Sequence, residues 1–258
     1  MPKKVMIVFW GHPLYDGRCM NMLNQFIDQG CQVYVLGVGF KKELLNYKKA
    51  QIKLMDSKKL NNSITKYFKY FYYVKKYVKQ FKPDTIIASD LYSMVPVAQN
   101  KNRHQSKIIY DSREIYTQLA GLIKRPMIQK LWSWYENMYI SRVDCLLANA
   151  EIDKIYLNKL YPDIRIEIVK NLPGKSFLQS NKVDLKELLC LNEKQKIFIY
   201  QGKFHNGRGI RFAIKCMSSL KETVLVIIGD GPMKEKYIQC AKQYNIEDRV
   251  FFIDAVPY

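Results

Sequence analysis

The stretch YQGKFHNGRGIRFAIKCM, residues 200–217, gathers the residue types that can hold a negatively charged group. Gly202, Gly207 and Gly209 sit in a short loop with two cations, Lys203 and Arg208, and Ile210, Ala213, Ile214 and Met217 then recur at the spacing of one helix face. The predicted arrangement is a strand ending near Gln201, a glycine loop and a helix start. Glycine lets backbone come close to an anion, and the unsatisfied N–H groups and dipole of a helix start favour negative charge. A diphosphate is the natural guest for such a set. The competing reading is a glycine-rich turn with solvated cations, and the motif by itself does not separate the two. Two nucleotide motifs are missing from the sequence: there is no Gly-x-x-x-x-Gly-Lys-Ser/Thr, and no Gly-x-Gly-x-x-Gly follows the first apolar run.

Other candidates stand where apolar runs end. His12, Asp16, Gly17 and Arg18 follow VMIVFW, and Asp90 follows TIIAS. Ligands of doubly wound folds bind beyond the carboxyl ends of strands, so these five are expected to line a cleft, with an ordinary structural loop as the rival. Asp111, Ser112, Arg113 and Glu114 close KIIYD in the same position; capping of the next helix is the alternative for Asp111 or Ser112. His205 is a potential hydrogen-bond donor within the glycine loop, and His104 reads as a surface residue. The six cysteines form no Cys-x-x-Cys pair and have no histidine at zinc spacing, so reduced, mostly buried thiols and no metal site are expected.

The elements that must position these residues alternate. Short Val- and Ile-rich runs at 5–10, 32–38, 85–89, 107–111, 145–149, 165–171, 196–202, 224–231 and 249–254 lack strict alternation, as strands buried on both faces of a parallel sheet do. Between them, helical periods place Met22, Leu23, Phe26 and Ile27 on one face of 18–29. The same period groups Ile64, Tyr67, Phe68, Phe71, Val74, Val78 and Phe81 within 63–81, and Ile128, Leu131, Trp132, Tyr135 and Tyr139 within 127–141. Further helices are predicted over 209–220 and 233–244. This is an α/β pattern of the doubly wound type. The segment 171–184, with Pro173 and Gly174, has no period and reads as a linker after about six strands.

In order and spacing, YQGKFHNGRGI, VLVIIGDGPMKEKY and DRVFFIDAVP resemble the start of the C-terminal domain of family 4 retaining glycosyltransferases. RVDCLLANAEIDKIYLNKLYP, IIYDSREIY and YDGRCMNMLNQFIDQGCQVYVLG resemble parts of that family's N-terminal domain. The resemblance implies the GT-B fold, two Rossmann-like domains. These are an acceptor-side domain at 1–172, a linker at 173–195 and a nucleotide-sugar-binding domain at 196–258, the last incomplete. It implies that Gly202, Lys203, Arg208 and Gly209 grip the donor diphosphate and that Gly229, Asp230, Gly231 and Pro232 turn beside the nucleotide base. Arg113 stands where many relatives carry histidine, and with Glu114 it is the candidate catalytic pair on the acceptor side, one carboxylate orienting the acceptor hydroxyl. The family's donor-sugar glutamate pair is expected beyond Tyr258. The activity implied is retaining transfer of a sugar from a nucleotide diphosphate-sugar, the donor substrate, to a glycan or lipid-linked acceptor, without cofactor or essential metal. The alternative is an inactive fragment or a binding subunit needing a partner chain.

Charge bears on partners. Of 258 residues, 42 are Lys or Arg against 23 acids, a net +19, and residues 41–82 alone hold 13 lysines with only Glu43 and Asp56, a local +11. Such an excess attracts polyanions. Within 63–82, lysines interleaved with Tyr and Phe read as a solvated scaffold helix or as a face for an anionic membrane surface. No zinc module, RNP motif or helix-turn-helix accompanies the charge, so specific nucleic-acid binding is not expected. No run approaches the roughly 18 apolar residues of a membrane helix. The expectation is a cytoplasmic protein of polysaccharide biosynthesis, able to sit peripherally on the inner face of the cell membrane.

Overall fold

A computed structural model describes residues 2–39, 43–57, 65–99, 106–119, 125–172 and 183–256. The expected linker residues Pro173 and Gly174, His104, and the start of the 63–81 helix at Ser63 and Ile64 lie outside the described residues. The chain forms two compact units, Met1–Gly174 and Lys175–Tyr258.

The first unit is built on an eight-stranded sheet. Its strands are β1 (Lys4–Val8), β2 (Gln32–Gly39), β3 (Glu43–Tyr47), β4 (Ala50–Asp56), β5 (Thr85–Ala88), β6 (Lys107–Asp111), β7 (Cys145–Ala148) and β8 (Ile166–Ile168). Their order is β3-β4-β2-β1-β5-β6-β7-β8, parallel except for β3 against β4. The chain winds outward in both directions from β1, so the crevice between the ends of β1 and β5 is the topological switch point. Both faces are covered, which is why the strands read as continuous apolar runs. Val5 and Ile7 pack with Cys19, Leu23 and Ile27 of α1 (Gly17–Asp28). Met6 and Val8 face the opposite layer, made by α2 (Thr65–Phe81), α3 (Leu91–Ala98), α4 (Pro126–Ile140) and α5 (Glu151–Leu160).

The second unit holds α6 (Leu185–Leu188), β9 (Lys196–Gln201), α7 (Ile210–Met217), β10 (Thr223–Ile228), α8 (Lys234–Gln243) and β11 (Val250–Ile253). Its three strands are parallel in the order β11-β10-β9. Ile210, Ile214 and Met217 of α7 are buried against Leu225 and Ile227, as the helical spacing predicts.

Several expectations change. The first strand ends at Val8: Phe9 N–H still donates to Leu36 O of β2 at 2.9 Å, but Trp10 N–H turns to the Asp90 carboxylate. β3 and β4 were not predicted. They form a hairpin inside the lysine-rich segment, where Ala50, Ile52 and Leu54 point inward between Gln51 and Lys53. Its two-residue turn is Lys48-Lys49, with Lys48 at φ 51, and carries none of the Asn-Gly chemistry that announces such turns. The unit thus has eight strands, not six. Helices α3 and α5 were also unforeseen, and α6 occupies part of the expected linker, started by Asp184, whose carboxylate accepts from Lys186 N–H.

Two helix faces are rotated relative to expectation. In α2 the inward residues are Tyr70, Val74 and Val78, while Phe68 is exposed; Tyr70 is accommodated because its hydroxyl meets Ser93 Oγ at 2.8 Å. In α4, Glu136 and Ile140 are buried, Trp132, Tyr135 and Tyr139 flank them, and Ile128 and Leu131 face outward. The cysteines are all free thiols, but only Cys19 and Cys240 are buried, and Cys190 is exposed.

If 43–56 is core rather than a solvated basic run, Ile52→Ala should lower unfolding free energy by about 2–5 kcal/mol. Leu44→Ala, on the exposed side, should stay within about 0.5 kcal/mol. Equal, small losses in denaturant titrations would remove the hairpin from the core.

Candidate functional site: a glycine loop at a helix start and a buried charge cluster

In the second unit, β9 ends at Gln201 and the chain enters the glycine loop. Two loops meet there, backbone against backbone. Gly202 N–H donates to Ile228 O at 3.0 Å, Phe204 N–H to Asp230 O at 2.9 Å, and Met233 N–H to Phe204 O at 3.2 Å. Gly229 lies at φ 146, and a Cβ there would collide with the Gly202 carbonyl oxygen; at Gly231 it would stand 2.7 Å from Phe204 O. Side chains lock the loop from beneath. Phe204 is fully buried, Tyr200 Oη donates to Lys203 O at 3.0 Å, and Tyr237 Oη donates to His205 O at 2.8 Å. The Phe204 and Tyr237 anchors were missed at the sequence level; the one signal was an aromatic residue inside an otherwise polar GKFHNGRG.

The loop delivers the chain into α7 through Gly209, at φ 75, with no side chain capping the helix. The first amides of α7 therefore lack the usual capping oxygen. Lys203 and Arg208 are exposed, and neither makes an ion pair or side-chain hydrogen bond to a described residue. The structure thus brings Gly202, Lys203, Arg208 and Gly209 into one loop and packs Gly229, Asp230 and Gly231 against it, with Pro232 following. Asp230 is exposed, its Oδ1 accepting from Gly231 N–H at 2.8 Å. Two cations with no partner among the described residues, beside uncapped amides, are an arrangement chemically suited to a multiply charged anion. A groove of about 850 Å³ runs between α7 and α8; Gly207, Gly209, Ile210 and Arg211 line it, so it opens at the same helix start, although neither Lys203 nor Arg208 lines it.

In the first unit the candidates are drawn into a buried charge cluster. Asp16 caps α1, accepting from Cys19 N–H at 2.7 Å. Arg18, 4% exposed, donates Nε and Nη2 to both oxygens of Asp111, and Nη1 to Val169 O. Arg113 lies between the two acids, at 2.6 Å from Asp16 and 3.1 Å from Asp111, with its guanidinium 4.6 Å from the Phe9 ring centroid. Burial opposes its charge, but Asp16 and then Asp111 outweigh that and raise its pKa above the ordinary value, so it is a permanent cation. Asn149 Nδ2 donates to Arg113 O, a contact with no signal in the sequence. Gly17 opens α1, and the half-buried His12 stacks edge-on to Tyr15.

Asp90 fills the switch point. It caps α3 through Ser93 N–H at 2.7 Å and accepts from Trp10 N–H, just beyond the end of β1, at 2.6 Å. Burial pushes its pKa up to about 6 from 3.8, against the pull of the Trp10 and Ser93 hydrogen bonds and the Arg113 charge. Asp16, Arg18, Asp90, Asp111 and Arg113 are therefore engaged with one another, with helix starts or with nearby backbone, although Arg113 Nη2 is buried without a hydrogen-bond partner among the described residues. Glu114 differs: it is exposed, and its carboxylate makes no hydrogen bond or ion pair to a described residue. No cluster of three His, Cys, Asp or Glu suited to a metal occurs among the described residues, and among them no helix is long and apolar enough to cross a membrane.

Residues 184–258 match the family described as glycosyl transferases group 1. A curated relative from Campylobacter jejuni subsp. jejuni serotype O:2 is named N-acetylgalactosamine-N,N'-diacetylbacillosaminyl-diphospho-undecaprenol 4-alpha-N-acetylgalactosaminyltransferase. It is 26% identical over 131 residues, 43% of this chain and 36% of its own length. The match thus spans little more than a third of that relative. Among solved structures, sucrose-phosphate synthase from Thermosynechococcus elongatus superposes with a TM-score of 0.76 at 15% identity, covering 99% of this chain and 71% of that one. Anabaena HepE in complex with UDP and glucose gives 0.65 at 13% identity, covering 98% and 70%. These likenesses show the fold: an α/β chain of two Rossmann-like units of GT-B type.

Removing Asp111 would leave Arg18 and Arg113 buried without their shared partner, so Asp111→Ala should cost about 3–5 kcal/mol; a loss below about 1 kcal/mol would contradict the cluster. Asp90 makes a pH prediction. Its folded pKa lies above the unfolded value, so its contribution is present below about pH 4 and is lost as pH rises through about 6. The stability difference between wild type and Asp90→Asn should move against wild type between pH 4 and 7. A pH-independent difference would place Asp90 at an ordinary pKa.

Proposed function

We propose that this chain serves retaining transfer of a sugar from a nucleotide diphosphate-sugar to a hydroxyl on a glycan or lipid-linked acceptor. The observation that carries the reading is the pair of exposed cations, Lys203 and Arg208, with no partner among the described residues, at the uncapped start of α7. Sugar transfer builds negative charge on the departing diphosphate. Donors fixed in place before reaction stabilise that charge without reorganising. The backbone lock at Gly202–Phe204 and Gly229–Gly231 supplies that fixity, and the family match over 184–258 covers this loop. In this reading the turn from Gly229 to Pro232 lies beside the base. The diphosphate charge is met by Lys203, Arg208 and the α7 amides without an essential metal.

On the acceptor side the reading assigns different roles to the two candidate catalytic residues. Glu114, exposed and unpaired, orients the acceptor hydroxyl. Arg113 is a positioning residue that holds Asp16 and Asp111 in place and, as a permanent cation, moves no proton. A lipid-linked acceptor of the kind in the Campylobacter relative's name fits the local +11 of residues 41–82, which draws the chain to an anionic membrane surface from the cytoplasmic side.

Calorimetric titration with UDP and GDP, with chelator present, tests the donor site. One of the two should bind, and Arg208→Ala should weaken it by about 1.5–3 kcal/mol, the range for a charge-assisted hydrogen bond. Equal affinity for wild type and mutant would remove Arg208 from the site.

A further inference from the structure

The outer face of α4 is apolar. Met127, Leu131, Trp134 and Met138 recur at intervals of four, three and four residues, which aligns them in one stripe. They are 85, 50, 55 and 42% exposed. The stripe cannot turn inward, because the opposite face is engaged. Glu136 and Ile140 are buried, and Trp132 meets Tyr67 of α2 at 5.4 Å and Tyr92 of α3 at 4.9 Å. A contiguous exposed apolar stripe of this kind marks a docking surface.

The charges around it select the occupant. The one acid of α4, Glu136, is buried, and Lys130 is exposed beside the stripe. In the same helix layer, α2 carries five lysines and no acid, and turns Phe68 and Tyr72 outward at 68 and 72% exposure, with Lys75, Lys76 and Lys79 exposed near them. The outward faces of both helices thus combine large apolar or aromatic side chains with cations and lack carboxylates. That combination suits the headgroup boundary of an anionic bilayer, where Trp and Met enter the acyl edge and lysines stay with the phosphates.

We infer that α4 is the element by which this chain enters an anionic lipid surface, with Met127, Leu131, Trp134 and Met138 inserted and the α2 lysines supplying electrostatic attraction. The inference rests on the lipid-linked acceptor proposed above for its purpose. It is tested without donor or acceptor, so lipid binding and nucleotide binding can fail separately.

The test is flotation of the chain with vesicles of phosphatidylcholine alone and of phosphatidylcholine with phosphatidylglycerol. Wild type should float with the anionic vesicles at low salt and much less with the neutral ones. Leu131→Ser with Trp134→Ser should reduce partitioning at least about tenfold, since burying either side chain is worth that much. Lys75→Gln, Lys76→Gln and Lys79→Gln together should reduce it at low salt and little at high salt. Both sites are exposed, and circular dichroism should show the variants folded. Brominated phosphatidylglycerol should quench wild-type tryptophan fluorescence, and Trp134→Phe should remove most of that quenching. Three results would overturn the inference: wild type that does not float, a stripe variant that floats like wild type, or a stripe variant that instead turns a lipid-free dimer into a monomer, which would assign the stripe to a second copy.

Discussion

The contact between the Gly202–Phe204 loop and the Gly229–Gly231 loop is the constraint on which the second unit's chemistry depends. Two loops that follow neighbouring strands approach so closely that no side chain fits at Gly229, and they exchange backbone hydrogen bonds instead. Everything that could act on an anion hangs from this contact: the positions of Lys203 and Arg208, and the angle at which Gly209 releases the chain into α7. Phe204, sealed below, converts the apolar core into a foundation for a polar loop. A cation on a loose loop loses entropy when it binds, whereas this loop is ordered in advance by packing that serves the fold anyway.

The first unit uses charge differently. Its carboxylates and guanidiniums at the strand ends are spent on one another. Asp111 at the end of β6 joins Arg18 of α1 to Arg113 of its own loop, and Asp90 ties the end of β1 to the start of α3 across the switch point. Such buried pairs add little stability over an apolar core but are costly to break. Their consequence is a fixed rim, from which Glu114 projects as an exposed carboxylate.

How far the sequence discloses this depends on which physical signal is at stake. Apolar runs read clearly, so the parallel strands and the α7 face of Ile210, Ile214 and Met217 were legible, although β9, expected to be buried on both faces, leaves Phe198 and Ile199 exposed. The β3–β4 hairpin was not, because its Lys48-Lys49 turn carries a charge signal where a turn signal would be expected and its strands sit within a basic run. The inward faces of α2 and α4 were misjudged because aromatic residues surround both helices, and only tertiary contacts choose among them: the Ser93 partner of Tyr70, and the Tyr110 hydroxyl that donates to buried Glu136 at 3.2 Å. The strand end, glycine loop and helix start were legible from Gly202, Gly207, Gly209 and the apolar period that follows them. Arg18, expected in a cleft, and Arg113, expected as a catalytic residue, could not be placed in one cluster from sequence, because Arg18–Asp111 and Arg113–Asp16 join residues more than 90 positions apart.

The central claim is that the start of α7 and the two loops locked beneath it form the anion site. The most direct measurement is a titration of the isotopically labelled chain with UDP and with GDP, followed through its backbone amide resonances. The account predicts that a bound nucleotide shifts the amides of Gly207, Gly209, Ile210 and Arg211 most, with smaller shifts at Gly229 to Gly231. Binding that leaves these amides unmoved and shifts residues elsewhere, such as Lys236, Gln239 and Gln243 of α8, would contradict it.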